Sequence, residues 1–345
     1  MTDTPPDPAT ATDAPADAAA PATPDSLPAS LRIGACGLAM GVCDAVPGVS
    51  GGTMALILGI YEDLIGHIAN LVAVLRRPRD RETWRGVGRA LRFLLPLGIG
   101  AVTALLVTVK LLVGHKVDWS AVADEDLDAR LAALDGWLVN QHSAPLVFAF
   151  FFGLVLASIR EPWSRIRVPR PLPYLLLAAI GALASGGVAL APTFAGSTHP
   201  ALLLGAGALA ISVMLLPGIS GSLALLVLGM YQPISQAASD RDLGILVWVV
   251  AGMALGMATF VPALRWALQR RHDQIMAVLA GLMAGSLVAL WPWKTHYVPD
   301  LIGRRPMEPL VPQGDWWWPL LAAGLGAALI ILLSRVASRR HAAAE

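Results

Sequence analysis

Long apolar runs separated by short polar stretches organise the chain from residue 31 to residue 335. Six runs, 93–113, 144–159, 173–195, 245–264, 275–293 and 316–333, hold 16 to 23 residues each and almost no charge. A helix of about 20 apolar residues crosses a bilayer, so each run is expected to be a transmembrane helix, the shortest (144–159) borrowing a turn from its flanks. Two further apolar regions, 31–66 and 201–236, break that pattern. Each has an arm of 16 apolar residues (31–46 and 201–216), an interruption rich in proline, glycine and serine, and then nine apolar residues that meet Glu62 and Asp63 or Gln232 and Pro233. Either arm is short for about 30 Å of hydrocarbon. Two half-helices joined by a tight loop, entering and leaving on one side, fit better than one long kinked helix crossing fully. Both regions are therefore expected to be re-entrant hairpins.

The two interruptions are copies of one another. "DAVPGVSGGTMALILGIY" (44–61) and "MLLPGISGSLALLVLGMY" (214–231) align at a fixed offset of 170, and eight of the fifteen positions from Pro47/Pro217 to Tyr61/Tyr231 are identical. Fainter echoes follow: "GLVLAS" at 153–158 against "GLMAGS" at 281–286, and "LLAA" at 176–179 against 320–323. Each half then holds one hairpin and three crossings. Three is odd, so the second half enters the membrane upside down relative to the first, the plan of many secondary transporters. The expected fold is an all-α integral membrane protein with an inverted-topology repeat: repeat 1 over 31–196, repeat 2 over 197–338, and tails at 1–30 and 339–345.

Composition agrees with a membrane protein, at 56% hydrophobic residues, 14% charged residues and a mean hydropathy of +0.62. Soluble domains carry about 25% charged residues. With the hairpins re-entrant, 18 of the 25 lysines and arginines fall on one side, seven of them at 76–92, and that side is expected to be cytoplasmic. Both termini are expected on that side. The first thirty residues carry seven prolines, nine alanines, five aspartates and no basic residue, a composition expected to be disordered and unlike a signal peptide. Cys36 and Cys43, seven residues apart along one helix, are too far apart to bridge and read as buried small residues. The histidines His67, His142, His199 and His272 show no metal-ligand spacing, no Walker-type loop is present, and the tryptophans near 291–319 form an aromatic belt. No cofactor, metal or nucleic-acid partner is expected, and a homo-oligomer is left open.

Irregular backbone at membrane depth must be buried in protein or line an aqueous cavity. In each break, glycine lets the chain turn and a ligand approach the backbone, and proline ends one arm without stranding an N–H. The helix that follows starts with free N–H groups and a positive dipole end. Together, Pro47, Gly48, Ser50, Gly51, Gly52, Thr53, Pro217, Gly218, Ser220, Gly221 and Ser222 form a candidate anion site suited to phosphate or carboxylate. The competing reading is that the glycines serve only close helix packing. Two acidic residues lack counterparts in the second copy: Asp44, aligned with Met214, and Glu62, aligned with Gln232. An ionisable group at membrane depth is by default functional, so both are candidates for proton or cation coupling. For Asp44 the alternative is a cap on loop N–H groups; for Glu62 it is an interfacial position. Arg160 and Glu161 read as interfacial anchors.

The paired signatures "DAVPGVSGGTMALILGIYEDLI" and "LLPGISGSLALLVLGMY" resemble those of a bacterial membrane family associated with polyprenyl-phosphate transport, the PopT-like undecaprenyl-phosphate translocases, formerly a domain of unknown function. The resemblance covers roughly residues 30 to 338, with no departure inside either signature. It implies a polyprenyl-phosphate lipid as partner, moved from the outer to the cytoplasmic leaflet for reuse in cell-envelope synthesis, by a transporter rather than an enzyme. It also carries over Asp44, Pro47, Gly48, Ser50, Gly51, Gly52, Thr53 and Glu62 of the first signature and Pro217, Gly218, Ser220 and Gly221 of the second. Two other classes stay open on the residues alone. One is a carrier or channel for a small anion. The other is a membrane polyprenyl-pyrophosphate phosphatase, disfavoured because neither loop carries an Arg, Lys or His for hydrolysis.

Overall fold

A computed structural model describes residues 27–45, 49–113, 143–168, 171–192, 194, 196–294, 309–312 and 314–342. Among these residues the secondary structure is helical, apart from an isolated bridge between Lys294 and Pro309. The first half of the chain forms α1 (Leu27–Asp44), α2 (Gly51–Ile57), α3 (Tyr61–Arg76), α4 (Arg81–Val113), α5 (Ala144–Ser158), α6 (Arg160–Ser164) and α7 (Pro171–Leu190). The second half forms α8 (Pro200–Met214), α9 (Gly221–Val227), α10 (Tyr231–Asp240), α11 (Leu243–Arg270), α12 (His272–Ser286) and α13 (Trp317–Ala342). The protein is thus an all-α membrane protein, with five stretches long and apolar enough to span: Arg81–Thr108, Ala144–Ser164, Pro171–Leu190, Leu243–Arg270 and Trp317–Arg335. Large apolar side chains such as Leu183, Leu325 and Leu332 stay exposed on these helices, as a lipid-facing surface requires.

The structure departs from the sequence expectations in four places. The sixth expected span, 275–293, is a helix only as far as Ser286, about 22 Å for 15 residues. Beyond it the chain tightens into i→i+3 turns, in which Leu287 N–H donates to Ala284 O and Trp291 N–H to Val288 O, before Pro292 ends them. The nine-residue second arm of each hairpin is not one helix. It stops at Leu58 or Leu228, turns at Gly59 (φ +76°) or Gly229 (φ +68°), and restarts at Tyr61 or Tyr231. Those glycines are identical in the two copies because left-handed backbone excludes most side chains. The first helix begins at Leu27, inside the expected tail, and the last runs to Ala342, beyond the expected 338; residues 1–26, 114–142 and 343–345 lie outside the described residues. The "LLAA" echo, finally, is one residue out of structural register, as the packing below shows.

Four helix pairs make the largest contacts: α1 with α4, α8 with α11, α7 with α12, and α5 with α13. Glycine holds each pair together. A Cβ on Gly37 or Gly41 would strike the Leu97 or Ala101 carbonyl, and one on Gly100 would strike Gly34, so α1 and α4 run parallel in backbone contact. Gly207 against Val249 and Gly252 against Leu204 repeat this between α8 and α11, with Gly207 and Leu204 each 170 residues after Gly37 and Gly34. In the other two pairs, Gly281 meets Ala178 as Gly153 meets Ala323, and Gly181 meets Val278 as Gly326 meets Phe150. Those contacts relate α7 to α13 by 145 residues, where "LLAA" suggests 144. Backbone approach of this kind is how membrane helices gain van der Waals contact where burial from water offers nothing. α3 returns antiparallel to α4: His67 stacks on Phe93 with ring centroids 4.6 Å apart, while Asn70 lies beside Gly86.

Candidate functional site

The two breaks meet in the protein interior. Ser50 is the N-cap of α2 and is buried; its Oγ accepts the Gly52 N–H at 3.2 Å and lies 3.4 Å from both Met214 O and Leu216 O, to which it donates. The Tyr61 hydroxyl, fully buried, donates to Leu215 O at 3.1 Å. A helix end leaves carbonyls without intrahelical partners, and here three of those at the end of α8 are served by two side chains from the first copy. Returning the contact, Gly218 N–H donates to Thr53 Oγ1 at 3.0 Å. Gly218 has φ +90°, and a Cβ there would strike the backbone at Leu282 and Met283; its carbonyl accepts from Ser185 Oγ of α7 at 2.9 Å. Glycine is required on both counts.

The helix starts differ in what faces them. At α2, Gly51 N–H donates to Asp44 Oδ1 at 2.5 Å and Gly52 N–H to Ser50, so a carboxylate already stands at the positive helix end. At α9, Ser220 makes no such cap; its Oγ shares a 2.7 Å hydrogen bond with Ser222 Oγ, and Met214 takes the place of the aspartate. Ser220 is buried and Ser222 exposed, with Pro217 and Gly221 buried beside them. Pro47 and Gly48 lie outside the described residues. Glu62 does not enter the break: it is half exposed, and its carboxylate lies 3.5 Å from His272 Nε2 at the start of α12. His272 also meets Asp273 at 3.3 Å, and Asp273 accepts the N–H groups of Arg167 and Val168, which hold its carboxyl below the usual range.

Sequence reasoning named the loop hydroxyls but missed the residues that fix the helices' far ends. Arg165 Nη2 donates to Leu56 O at 3.1 Å, placing a cation at the C-terminal end of α2. Phe194 N–H does the equivalent at Val227 O, 2.8 Å, for α9. Nothing local announces either contact, since each partner comes from a loop remote in sequence. Tyr61 and Gly59 did carry a signal, their identity with Tyr231 and Gly229.

The two helix starts thus differ: a carboxylate accepts the Gly51 N–H at α2, while at α9 the hydroxyls of Ser220 and Ser222 pair with each other. Among the described residues no group of three His, Cys, Asp or Glu side chains has metal-binding geometry. The chain is 37% identical over 311 residues to a polyprenyl-phosphate transporter of Vibrio cholerae, covering 86% of this chain and 93% of that one. It is 30% identical over 275 residues to a polyprenyl-phosphate transporter of Staphylococcus aureus, covering 74% of this chain and 84% of that one. No solved structure matches. These relatives are named as transporters rather than enzymes. Residues 40–118 and 129–300, both signatures included, match the description undecaprenyl phosphate translocase-like, and the chain belongs to that family.

Proposed function

We propose that the protein carries undecaprenyl phosphate from the outer to the cytoplasmic leaflet of the bacterial plasma membrane by alternating access between two inverted halves. The observation that carries the reading is the interlock of the two breaks: Ser50, Thr53 and Tyr61 of one half are bonded to residues 214–218 of the other. A site built from both halves changes its exposure when they rock against each other. The parallel course of α1 beside α4, with α3 returning antiparallel, supports a hairpin open on the side where α4 starts. Contacts of Arg165 with α2, and of Phe194 with α9, lie at opposite ends of α7 and support hairpins that open oppositely.

In this reading the phosphate sits at the α9 start, against Ser220, Gly221 and Ser222, with Pro217 and Gly218 shaping the turn that presents them, while the prenyl chain stays in lipid. Asp44 occupies the matching place at α2, beside Gly51 and Gly52, and Pro47 and Gly48 of the first signature are assigned to the same site by their alignment with Pro217 and Gly218. Protonation would remove its charge and release the Gly51 N–H for the substrate, which couples transport to protons. A phosphomonoester carries about 1.5 to 2 negative charges near neutral pH, and moving it inward opposes an inside-negative potential by about 2.3 kcal/mol per charge per 100 mV. A co-transported proton offsets part of that. Glu62 enters through its pair with His272, at the boundary rather than in the break.

The test is transport of radiolabelled undecaprenyl phosphate in proteoliposomes, with acetate and inorganic phosphate as small-anion controls. Lipid-phosphate translocation that outpaces both supports the proposal; small-anion flux without lipid movement overturns it. Cysteine labelling provides the topological arm, with positions 80 and 268 reacting from the cytoplasmic side and 198 and 238 from outside.

A further inference from the structure

A cavity of about 310 Å³ lies between α3 and the end of α11, away from the breaks. Ala69, Val72, Ala73 and Arg77 line it from the α3 side, and Pro262, Arg265, Trp266 and Gln269 from α11. On each side the spacing of three and four residues makes one helical stripe, so the two helices face each other across the space. Its size falls at the lower end of ordinary ligand sites. The lining divides by chemistry. Val72, Ala73, Pro262 and the Trp266 ring form an apolar wall, while Arg77, Arg265 and Gln269 bring hydrogen-bond donors; among the described residues no carboxylate lines it.

Arg265 is half-buried, and its Nη1 donates to Asn70 Oδ1 at 3.2 Å. That partner is a neutral amide, which orients the guanidinium without cancelling its charge. Arg77 is exposed, with Asp80 near enough to feel its charge, but Asp80 is engaged by Thr83 Oγ1 at 2.8 Å and by Glu82 N–H at 3.1 Å. Two guanidinium groups against one neighbouring carboxylate leave the cavity with an excess of positive charge. It sits where α11 passes from its apolar stretch into Arg265, Arg270 and Arg271, beside the arginine-rich 76–92 segment, which is a membrane boundary. An exposed tryptophan is the usual residue at that depth.

We propose that this cavity binds the phosphomonoester headgroup of a polyprenyl lipid at the arginine-rich membrane boundary, as a second site distinct from the breaks. The proposal rests on the lipid-phosphate reading above. Two arginines match a group carrying nearly two charges better than a phosphodiester headgroup carrying one, and guanidinium forks pair with phosphate oxygens in two-point contacts. The apolar wall takes the first prenyl units, and the open side leads to lipid. α3 belongs to the first half of the chain and α11 to the second, so occupancy would also bridge the halves.

The experiment uses the full chain in proteoliposomes with a diazirine-bearing polyprenyl phosphate, irradiated and mapped by mass spectrometry. Adducts are expected on peptides covering 69–77 and 262–269, in addition to any at the breaks. Arg265→Gln should weaken labelling there about tenfold, the loss of a charge-assisted phosphate contact, while labelling at 217–223 is kept. Arg77→Gln, at an exposed position, should weaken it less and guards against misfolding of the first variant. Unlabelled polyprenyl phosphate should compete, and phosphatidylglycerol and inorganic phosphate should not. Equal competition by phosphatidylglycerol would make this a bulk-lipid contact, and equal competition by inorganic phosphate a small-anion site; either overturns the proposal. Labelling at 217–223 alone, unchanged by Arg265→Gln, also overturns it and leaves the proposed function standing. Absence of both labelling and lipid transport in the unmodified protein overturns the two together.

Discussion

The breaks at 44–61 and 214–231 share eight of fifteen aligned residues from their prolines onward, yet their helix starts face opposite chemistry. The first is filled: Asp44 and Ser50 take the Gly51 and Gly52 N–H groups, and Ser50 and Tyr61 spend their hydroxyl protons on carbonyls of the second copy. The second is uncapped by Ser220 and carries Met214 where the first has its aspartate. Duplication supplied two equal helix ends, and a single substitution in the preceding arm made one of them self-occupied. Two aligned breaks therefore present unequal helix starts, one met by a carboxylate and one by a methionine.

The largest effect that would sharpen this comparison comes from the shared turn glycines. A Cβ at Gly229 would strike the Phe194 carbonyl, whereas at Gly59 its nearest contact is the Arg165 side chain at 3.9 Å. Gly59→Ala should cost about 1–2 kcal/mol from left-handed backbone alone. Gly229→Ala adds a backbone clash and should exceed about 3 kcal/mol, read as a lower yield of folded protein and a lower Tm in detergent. Equal losses would show that the clash relaxes freely.

Next in size is the functional asymmetry. Asp44→Asn keeps a carbonyl oxygen for the Gly51 N–H, so the fold and substrate binding should persist, while accumulation driven by an ion or proton gradient is abolished. Normal transport, with unchanged pH and sodium dependence, would leave Asp44 as a cap only. The reciprocal change, Met214→Asp, should fill the second helix start and suppress lipid-phosphate binding. Unaltered binding in that variant would place the phosphate elsewhere.

The serines divide in the same way. Ser50→Ala removes a cap and a link between the halves, at about 1–2 kcal/mol of stability. Ser220→Ala removes one hydroxyl pair, at about 0.5–1 kcal/mol, but should weaken substrate binding more than Ser50→Ala does. The opposite ranking would move the anion to the first break.

The smallest effect lies outside the membrane. The Asp273 carboxyl is held low by the Arg167 N–H, with help from Val168, so its contribution is present above the ordinary carboxylate range and is lost as pH falls through the depressed folded value. Hydrogen exchange at 166–168 should quicken only in acid, and Asp273→Asn should abolish that dependence. The Glu62 end of the same cluster would feel it through His272.

Local sequence determined a good deal here, and the reasons are physical. Apolar run length located the spans but not their ends, because a bilayer sets a minimum length that composition either meets or misses: the runs 93–113 and 173–195 overlap the apolar spans Arg81–Thr108 and Pro171–Leu190. Proline and glycine in an apolar run announced the breaks, and their duplication announced two of them. The 275–293 run is helical only to Ser286, because apolar content does not say where a helix tightens into turns. Only the tertiary structure decided which hydroxyls face inward and which are already engaged. Ser50 and Ser220 are identical by alignment, but one donates to carbonyls 164 and 166 residues away while the other pairs with Ser222. Arg165 at the end of α2 and Arg265 beside Asn70 are likewise set by partners 109 and 195 residues away. Periodicity and composition are properties of neighbours along the chain, whereas the electrostatic state of a helix end belongs to whatever the packed helices bring to it.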